Sequence, residues 1–115
     1  KNKKAVVIYT WSPHMAWSMQ GLPEILALGK ELSVRVVILL DPFADELSAK
    51  KRVQLNSWPE DSLRKMRSES LINLGARIHY PSYVFVQDGK VIGPVVPGYK
   101  FPERIRSLMK KRLKI

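Results

Sequence analysis

The sequence contains no cysteine among its 115 residues. A chain without thiols cannot form a disulfide, hold a zinc ion through thiolates or carry out dithiol–disulfide exchange with its own side chains. The same absence leaves the redox compartment of the protein undecided, because disulfides are the usual sign of an oxidising environment.

Long apolar runs are also absent. No uninterrupted hydrophobic stretch approaches the roughly 20 residues that a membrane-spanning helix requires. The hydrophobic content of 45% is that of an ordinary globular domain. We therefore expect residues 1–115 to form a single soluble domain with a modest core.

Acidic residues are few relative to basic ones. Ten Asp and Glu face twenty Lys and Arg, which gives a net charge of +10. This balance favours acidic partners such as an anionic surface. Nucleic acid is not favoured, since the cations are spread over several segments rather than gathered with aromatic side chains.

Residues 78–93 contain the clearest local pattern of the chain. Two runs of aromatic and β-branched residues flank Asp88-Gly89, a dipeptide that supplies the positive φ angles of a tight hairpin turn. Pro81 lies at the start of the first run, where a strand needs no N–H donor. The pattern predicts a β-hairpin.

The remaining elements follow from periodicity. Two β-branched runs, at 5–10 and 34–40, predict strands buried on both faces, and a helical pattern between them makes the pair parallel. Gly21 and Pro23 predict a bend or restart in that helix. A short helix is expected at 43–51, and a further helix at 57–75 with Ser57 as its N-cap. A last helix is expected at 101–115.

The order β-α-β-α-α-β-β-α, with Tyr80-Pro81-Ser82, Asp88-Gly89-Lys90 and Asp41-Pro42, resembles the thioredoxin-like superfamily, and in particular its TlpA/ResA-like branch. The resemblance implies an α/β fold with a central mixed four-stranded sheet flanked by helices. It also implies that Tyr80–Pro81 is a cis peptide bond, that Tyr80, Pro81 and Ser82 border a peptide groove, and that the protein is extracytoplasmic or periplasmic.

Members of this family that catalyse redox reactions carry Cys-x-x-Cys where the first strand meets its helix. Two registers of a degenerate motif are possible here. Ser12-Pro13-His14-Met15 is similar in composition to the Cys-Pro-His-Cys of DsbA-like oxidases. Met15-Ala16-Trp17-Ser18 is favoured by its spacing, because Pro23 follows Ser18 by five residues as in the family. Neither register contains a sulfur nucleophile.

Other chemistry at this loop has weak support. Ser12 and His14 could form a hydrolase site with Asp41 or Asp45, but no nucleophile-elbow pattern is present. His14 and His79 lack metal-ligand spacing, so no metal or cofactor is predicted. Trp11 and Trp17 are interpreted either as a partly buried rim or as aromatic contacts for a peptide.

The sequence therefore predicts a redox-inactive thioredoxin-like domain that binds a protein or extended peptide in the groove beside the cis-proline, with a peptide strand pairing alongside Ser82. One alternative is an accessory, engineered or partial member of a thiol–disulfide oxidoreductase system. The other is a basic module that docks on anionic lipid or nucleic acid. Its basic surface would be the last helix, through Arg104, Lys110, Lys111 and Arg112, whose simpler interpretation is a solvated outer face.

Overall fold

The computed structural model describes residues 4–65, 69, 73 and 79–115. Within this part, the strands in chain order are β1 (Ala5–Trp11), β2 (Arg35–Leu40), β3 (Ser82–Gln87), β4 (Lys90–Val91) and β5 (Val96–Pro97). The helices are α1 (Ala16–Leu32), α2 (Glu46–Asn56) and α3 (Pro102–Arg112).

The strands form one mixed sheet. Its order is β2-β1-β3-β4, with β1 parallel to β2 and antiparallel to β3. The predicted α/β class and mixed sheet are confirmed. The short strand β5 is an addition to the four predicted strands, and it pairs with the start of β3 through Ser82 and Tyr83.

The hairpin turn adopts the predicted geometry. Asp88 has φ of 54° and Gly89 has φ of 79°, and the turn closes between Gln87 and Lys90. Positive φ at both central positions matches the right-handed twist of the strands. The turn residues therefore fix the register of β3 against β4.

The core lies against β1 and β3, the two central strands. Tyr9 and Tyr83 are both buried, and their rings meet edge to face at 5.1 Å. Trp11 is completely buried, packs edge to face on Trp58 at 5.4 Å and donates its Nε1–H to the carbonyl of Ser62 at 2.7 Å. The last three residues of β1, Tyr9, Thr10 and Trp11, are all buried, so the carboxyl end of the strand is held where the first loop begins.

The structure excludes a restart in the first helix and changes the bounds of the second. Helix α1 runs without a restart from Ala16 to Leu32, across both Gly21 and Pro23. Gly21 has a packing role, since a Cβ there would collide with the hydroxyl of Tyr9. Helix α2 starts later than predicted, because Asp45 caps it by accepting the backbone N–H of Ser48 at 3.0 Å. It also continues beyond the predicted end, to Asn56.

Ser57 does not begin a helix. It ends α2 in the left-handed conformation with φ of 54°, and its N–H returns to the carbonyl of Gln54. A 3-10 turn (Glu60–Leu63) follows, and Lys65 bridges to Leu40 in parallel. Farther along, the described residues Glu69 and Asn73 are helical, as predicted. The rest of the predicted helix lies largely outside the described residues, as does the predicted strand start at residue 78.

None of the helices in the described ranges is both long enough and apolar enough to cross a membrane.

Candidate functional site

The loop between β1 and α1 ends at a helix N-terminus. Met15 occupies the N-cap position with extended backbone angles, and α1 begins at Ala16. Met15 is 46% exposed and Trp17 is 62% exposed, whereas Ser18 is completely buried. The first turn of α1 therefore presents one thioether and one indole to solvent and turns one hydroxyl inward.

The inward hydroxyl of Ser18 ties the loop together. Its Oγ accepts the backbone N–H of Ser12 at 3.0 Å and donates to the carbonyl of Met15 at 2.7 Å, with the carbonyl of Ser12 at 2.9 Å. The N–H of Met15 also binds the carbonyl of Ser12 at 3.0 Å. The loop conformation is thus fixed by one small polar side chain.

Tyr9 supports the same turn from below. Its hydroxyl donates to the carbonyl of Ser18 at 2.6 Å in the buried interior. Burial raises the pKa of Tyr9 well above its ordinary range, and the nearby ring of Tyr83 adds to the effect. The phenol therefore stays protonated and acts as a permanent donor to the first turn of α1.

The Tyr80–Pro81 peptide bond is cis, and Pro81 is buried. Two hydrogen bonds hold the following residue, Ser82, in place. The N–H of Ser82 donates to Thr10 Oγ1 at 2.9 Å, and the hydroxyl of Ser82 donates to the carbonyl of His79 at 2.7 Å. The carbonyl of Pro81 accepts the N–H of Gly98 at 2.8 Å.

The predicted peptide pairing alongside Ser82 is therefore wrong. Ser82 is completely buried and is flanked by Thr10 of β1 on one side and Pro97 of β5 on the other. Both of its ladder directions are taken by the chain itself. Ser82 holds the cis-proline loop in place but does not line a groove.

A groove of about 440 Å³ does lie between the first turn of α1 and the cis-proline loop. Its lining residues are Met15, Trp17, His79, Tyr80, Pro81, Gly98 and Tyr99. The structure thus brings together Met15, Trp17, Tyr80 and Pro81 of the predicted site. None of the lining residues is a Lys, Arg, Asp or Glu, and four of them are aromatic or carry a thioether.

Tyr99 is a groove residue that the sequence analysis missed. Its ring stacks on that of Trp17 with centroids 4.9 Å apart and a tilt of 30°, and Phe101 packs edge-on at 5.8 Å. Its hydroxyl donates to Glu24 Oε1 at 2.7 Å. Desolvation, together with this bond to Glu24, raises the pKa of Tyr99 to about 12. The available signal was an aromatic residue after Gly98 in a Pro/Gly-rich segment.

Several solved structures share this architecture. The exposed lipoprotein thioredoxin Etrx1 of Streptococcus pneumoniae strain TIGR4 is 20% identical, with a TM-score of 0.72 over 96% of this chain and 86% of that one. MTB DsbF is 18% identical, with a TM-score of 0.73 over 94% and 80%. A thiol:disulfide interchange protein of the thioredoxin family from Chlorobium tepidum TLS is 12% identical, with a TM-score of 0.75 over 98% and 82%.

The chain has the thioredoxin-like fold. No protein-family model matches the chain, and no curated protein matches it in sequence. The fold and the missing cysteines together describe a thioredoxin-like domain that has no thiol of its own with which to exchange disulfides.

The two registers of the degenerate motif differ in where the structure places them. Met15 is at the N-cap and Ser18 at the third helical position of α1, where free N–H groups and the helix dipole would act on a thiolate. Ser12 lies three residues before the cap and is 1% exposed. Pro13 and His14 lie between them in the loop, outside the helix.

The hydrogen bonds of Ser12 and His14 do not support the serine hydrolase alternative. The imidazole Nε2 of His14 is engaged elsewhere, because it accepts the backbone N–H of Asp45 at 3.3 Å. The Ser12 hydroxyl instead accepts the backbone N–H of His14 at 3.3 Å. The interaction of His14 links the loop to the start of α2. In the described ranges, no group of three or more His, Asp or Glu side chains is placed to hold a metal ion.

The two tryptophans of the predicted site differ in burial. Trp11 is a core residue rather than part of a rim, since it is completely buried and its indole N–H is used by Ser62. Trp17 is the exposed aromatic residue of the groove. Only Trp17 can therefore contact a ligand directly.

The predicted basic surface of α3 is less uniform than its sequence. Arg104, Lys110 and Lys111 are exposed. Arg112 instead donates Nη1–H to the carbonyl of Pro94 at 2.7 Å and lies 5.2 Å above the ring of Phe85. Arg112 thus has a structural role, pinning α3 to the segment after β4.

Another open depression, of about 580 Å³, lies at the far end of α1 beside Leu26, Lys30 and Pro59. It is larger than the groove, but it contains none of the predicted site residues. Its lining includes the small residues Ala27 and Gly29 and contains no aromatic side chain and no thioether. We therefore base the functional proposal on the groove.

Proposed function

We propose that this thioredoxin-like domain binds an extended segment of a partner protein in the groove beside the cis-proline, and that it performs no dithiol chemistry. The observation that carries the proposal is the exposed stack of Trp17 on Tyr99 at the edge of a depression of about 440 Å³. An exposed, already stacked aromatic pair loses little conformational freedom on binding and offers a large apolar surface.

Recognition in this groove relies on side chains. Trp17, Tyr99 and Tyr80 offer aromatic surface, and Met15 offers a thioether that adapts to irregular shapes. The backbone of Pro81 and Ser82 adds nothing, because its groups are already bonded to Gly98 and Thr10. We therefore expect the partner segment to present aromatic, proline or aliphatic residues rather than a strand for backbone pairing.

A second candidate is an accessory role in a thiol–disulfide system, in which the cysteines belong to a partner. It is supported by the similar solved structures, which include a thiol:disulfide interchange protein and an exposed lipoprotein thioredoxin. Under this proposal the domain belongs to the TlpA/ResA-like branch and is extracytoplasmic. The partner would then be a redox protein that presents its segment to the same groove.

Peptide selection followed by affinity measurement tests the binding proposal. Displayed random peptides are selected on the immobilised domain, and the dissociation constants of the enriched sequences are measured by calorimetry. We expect Trp17→Ala to weaken binding at least about tenfold, because a central exposed aromatic residue is a typical hot spot. Met15→Arg should weaken it as well by placing a charge in an apolar groove.

Leu55→Ala is the matched control. Leu55 is 71% exposed, close to the exposure of Trp17, but lies on α2 and outside the groove lining. Selected peptides that bind the Leu55→Ala and Trp17→Ala variants equally well would show that the groove is not the binding site. Reduction of insulin disulfides by the pure protein would contradict the redox-inactive part of the proposal.

A further inference from the structure

The large apolar side chains of helix α2 lie on its solvent-exposed face rather than on the face that packs against the core. Only the small residues Ala49 and Val53 are buried. Leu47 is 77% exposed and Leu55 is 71% exposed. With 3.6 residues per turn, Leu47, Lys51 and Leu55 form one stripe directly opposite the buried pair. The leucines of this helix are therefore directed into solvent.

Cations surround the same stripe. Lys50, Lys51 and Arg52 are all exposed. None of their charged groups has an ion-pair partner in the residues that the structure describes. The one acidic residue of the helix, Glu46, lies at its first position and pairs with Lys65 at 3.3 Å. The outward face thus combines uncompensated positive charge with exposed leucine.

Helix α3 provides the contrast. It is also basic, but its apolar residues Ile105, Leu108 and Met109 are all buried in the core. Its outer face consequently offers charge without apolar surface. Stable binding at a membrane interface needs both, because apolar side chains must enter the boundary between headgroups and acyl chains while cations meet anionic lipid.

We propose that the outward face of α2, defined by Leu47, Lys50, Lys51, Arg52 and Leu55, docks on an anionic membrane surface. The helix lies in the plane of the interface, with the two leucines inserted and the three cations beside lipid phosphates. The charge of the face complements the lipid and has no acidic group to repel it. This face is separate from the groove, because none of the groove-lining residues lies on α2.

Flotation with lipid vesicles tests the proposal on the intact chain. Vesicles of phosphatidylcholine with and without phosphatidylglycerol are mixed with the protein at low salt. We expect flotation with the anionic vesicles only, falling as salt is added. Replacing Lys50, Lys51 and Arg52 by Gln should lower the partition coefficient on the order of 100-fold, at about fivefold for each cation.

A variant that loses the same number of cations from α3 distinguishes docking by the outward face of α2 from attraction by the net charge of the protein. Arg104→Gln, Lys110→Gln and Lys111→Gln remove three exposed cations from α3 and should leave most of the binding intact. Leu47→Gln with Leu55→Gln keeps every charge and should still lower binding at least about tenfold. Circular dichroism checks that each variant is folded.

Each possible result decides the proposal. Loss in both α2 variants with retention in the α3 variant supports it. Equal loss in the α2 and α3 charge variants would mean diffuse attraction by the whole protein, and would overturn it. Absence of flotation by the unaltered protein would overturn the proposal as well. An acidic polypeptide would then be the partner of this face instead of a membrane.

Discussion

The hydroxyl oxygen of Ser18 lies 3.0 Å from the backbone nitrogen of Ser12 and accepts its N–H. This contact crosses six residues and closes the loop that carries Met15 and precedes Trp17. It places a buried serine where the loop needs a small inward-facing group. The groove rim therefore depends on a hydrogen bond that is itself inaccessible to any ligand.

Ser18→Ala should destabilise the domain. The substitution removes the acceptor of the buried Ser12 N–H, and an unpaired buried donor costs about 1–3 kcal/mol. Urea unfolding followed by circular dichroism measures the change in free energy of unfolding. Ser107→Ala, on the exposed face of α3, is the control and should fall within about 0.5 kcal/mol of the parent. Equal effects of the two substitutions would refute the structural role of Ser18.

Introducing a pair of cysteines distinguishes the two registers of the degenerate Cys-x-x-Cys motif. We expect Met15→Cys with Ser18→Cys to form a disulfide and to reduce insulin measurably with dithiothreitol as the electron source, because these positions flank the first turn of α1. The helix N-terminus would lower the pKa of a thiol placed at the cap. Ser12→Cys with Met15→Cys should remain far less active, since position 12 lies three residues before the N-cap and outside the first turn of α1. Higher activity of this second pair would reverse the assignment.

The phenol of Tyr99 should lose its proton at a higher pH than an ordinary tyrosine. Burial and Glu24 favour the neutral phenol, so the folded state holds the proton more tightly than the unfolded chain, and the pKa is raised from 10.0 to about 12. The resulting stabilisation is complete below about pH 10 and is lost as the pH rises through about 12. The carbon-13 shift of the Tyr99 ring measures this pKa directly.

Glu24→Gln should lower the pKa of Tyr99, because it removes both the charged acceptor and its Coulomb repulsion of the phenolate. Glu103→Gln, a substitution of the same kind in the first turn of α3, should leave the titration unchanged. An unshifted titration in the Glu24 variant would show that burial alone is responsible.

Arg112 and Lys111 are adjacent basic residues with different predicted effects. Arg112→Ala removes the bond to the Pro94 carbonyl and the contact over Phe85, and should destabilise the fold by about 1 kcal/mol. Lys111→Ala should change stability little, since its side chain is exposed. Thermal unfolding of the two variants measures the difference; identical melting temperatures would rule out the pinning role of Arg112.

The fold could be predicted where local patterns are strong. The β-branched runs before Thr10 and Leu40, and the Asp88-Gly89 turn, each have one favourable geometry. Strand β5 could not be predicted, because Val96-Pro97 has no alternation and pairs only through the tertiary position of β3. Ser57 was misassigned because an N-cap pattern and a left-handed C-cap can share one polar residue, and the end of α2 decided between them.

The site was predictable only in part. Met15, Trp17, Tyr80 and Pro81 do meet at one groove, as the resemblance implied. Trp11 and Ser82 were misplaced, because a strand residue near a loop can face either the core or the ligand, and only the packing of β1 and β5 decides which. Tyr99 was missed because its role depends on a contact with Trp17 across 82 residues of sequence, which no local pattern encodes.

The most direct test of the central claim is to map a selected peptide onto the nitrogen-15-labelled domain by NMR. We predict that the largest amide shift changes occur at Met15, Trp17, Tyr80, Gly98 and Tyr99, and that they disappear in the Trp17→Ala variant. Largest changes on α2 or α3, with the groove amides unmoved, would contradict the assignment of the groove as the binding site.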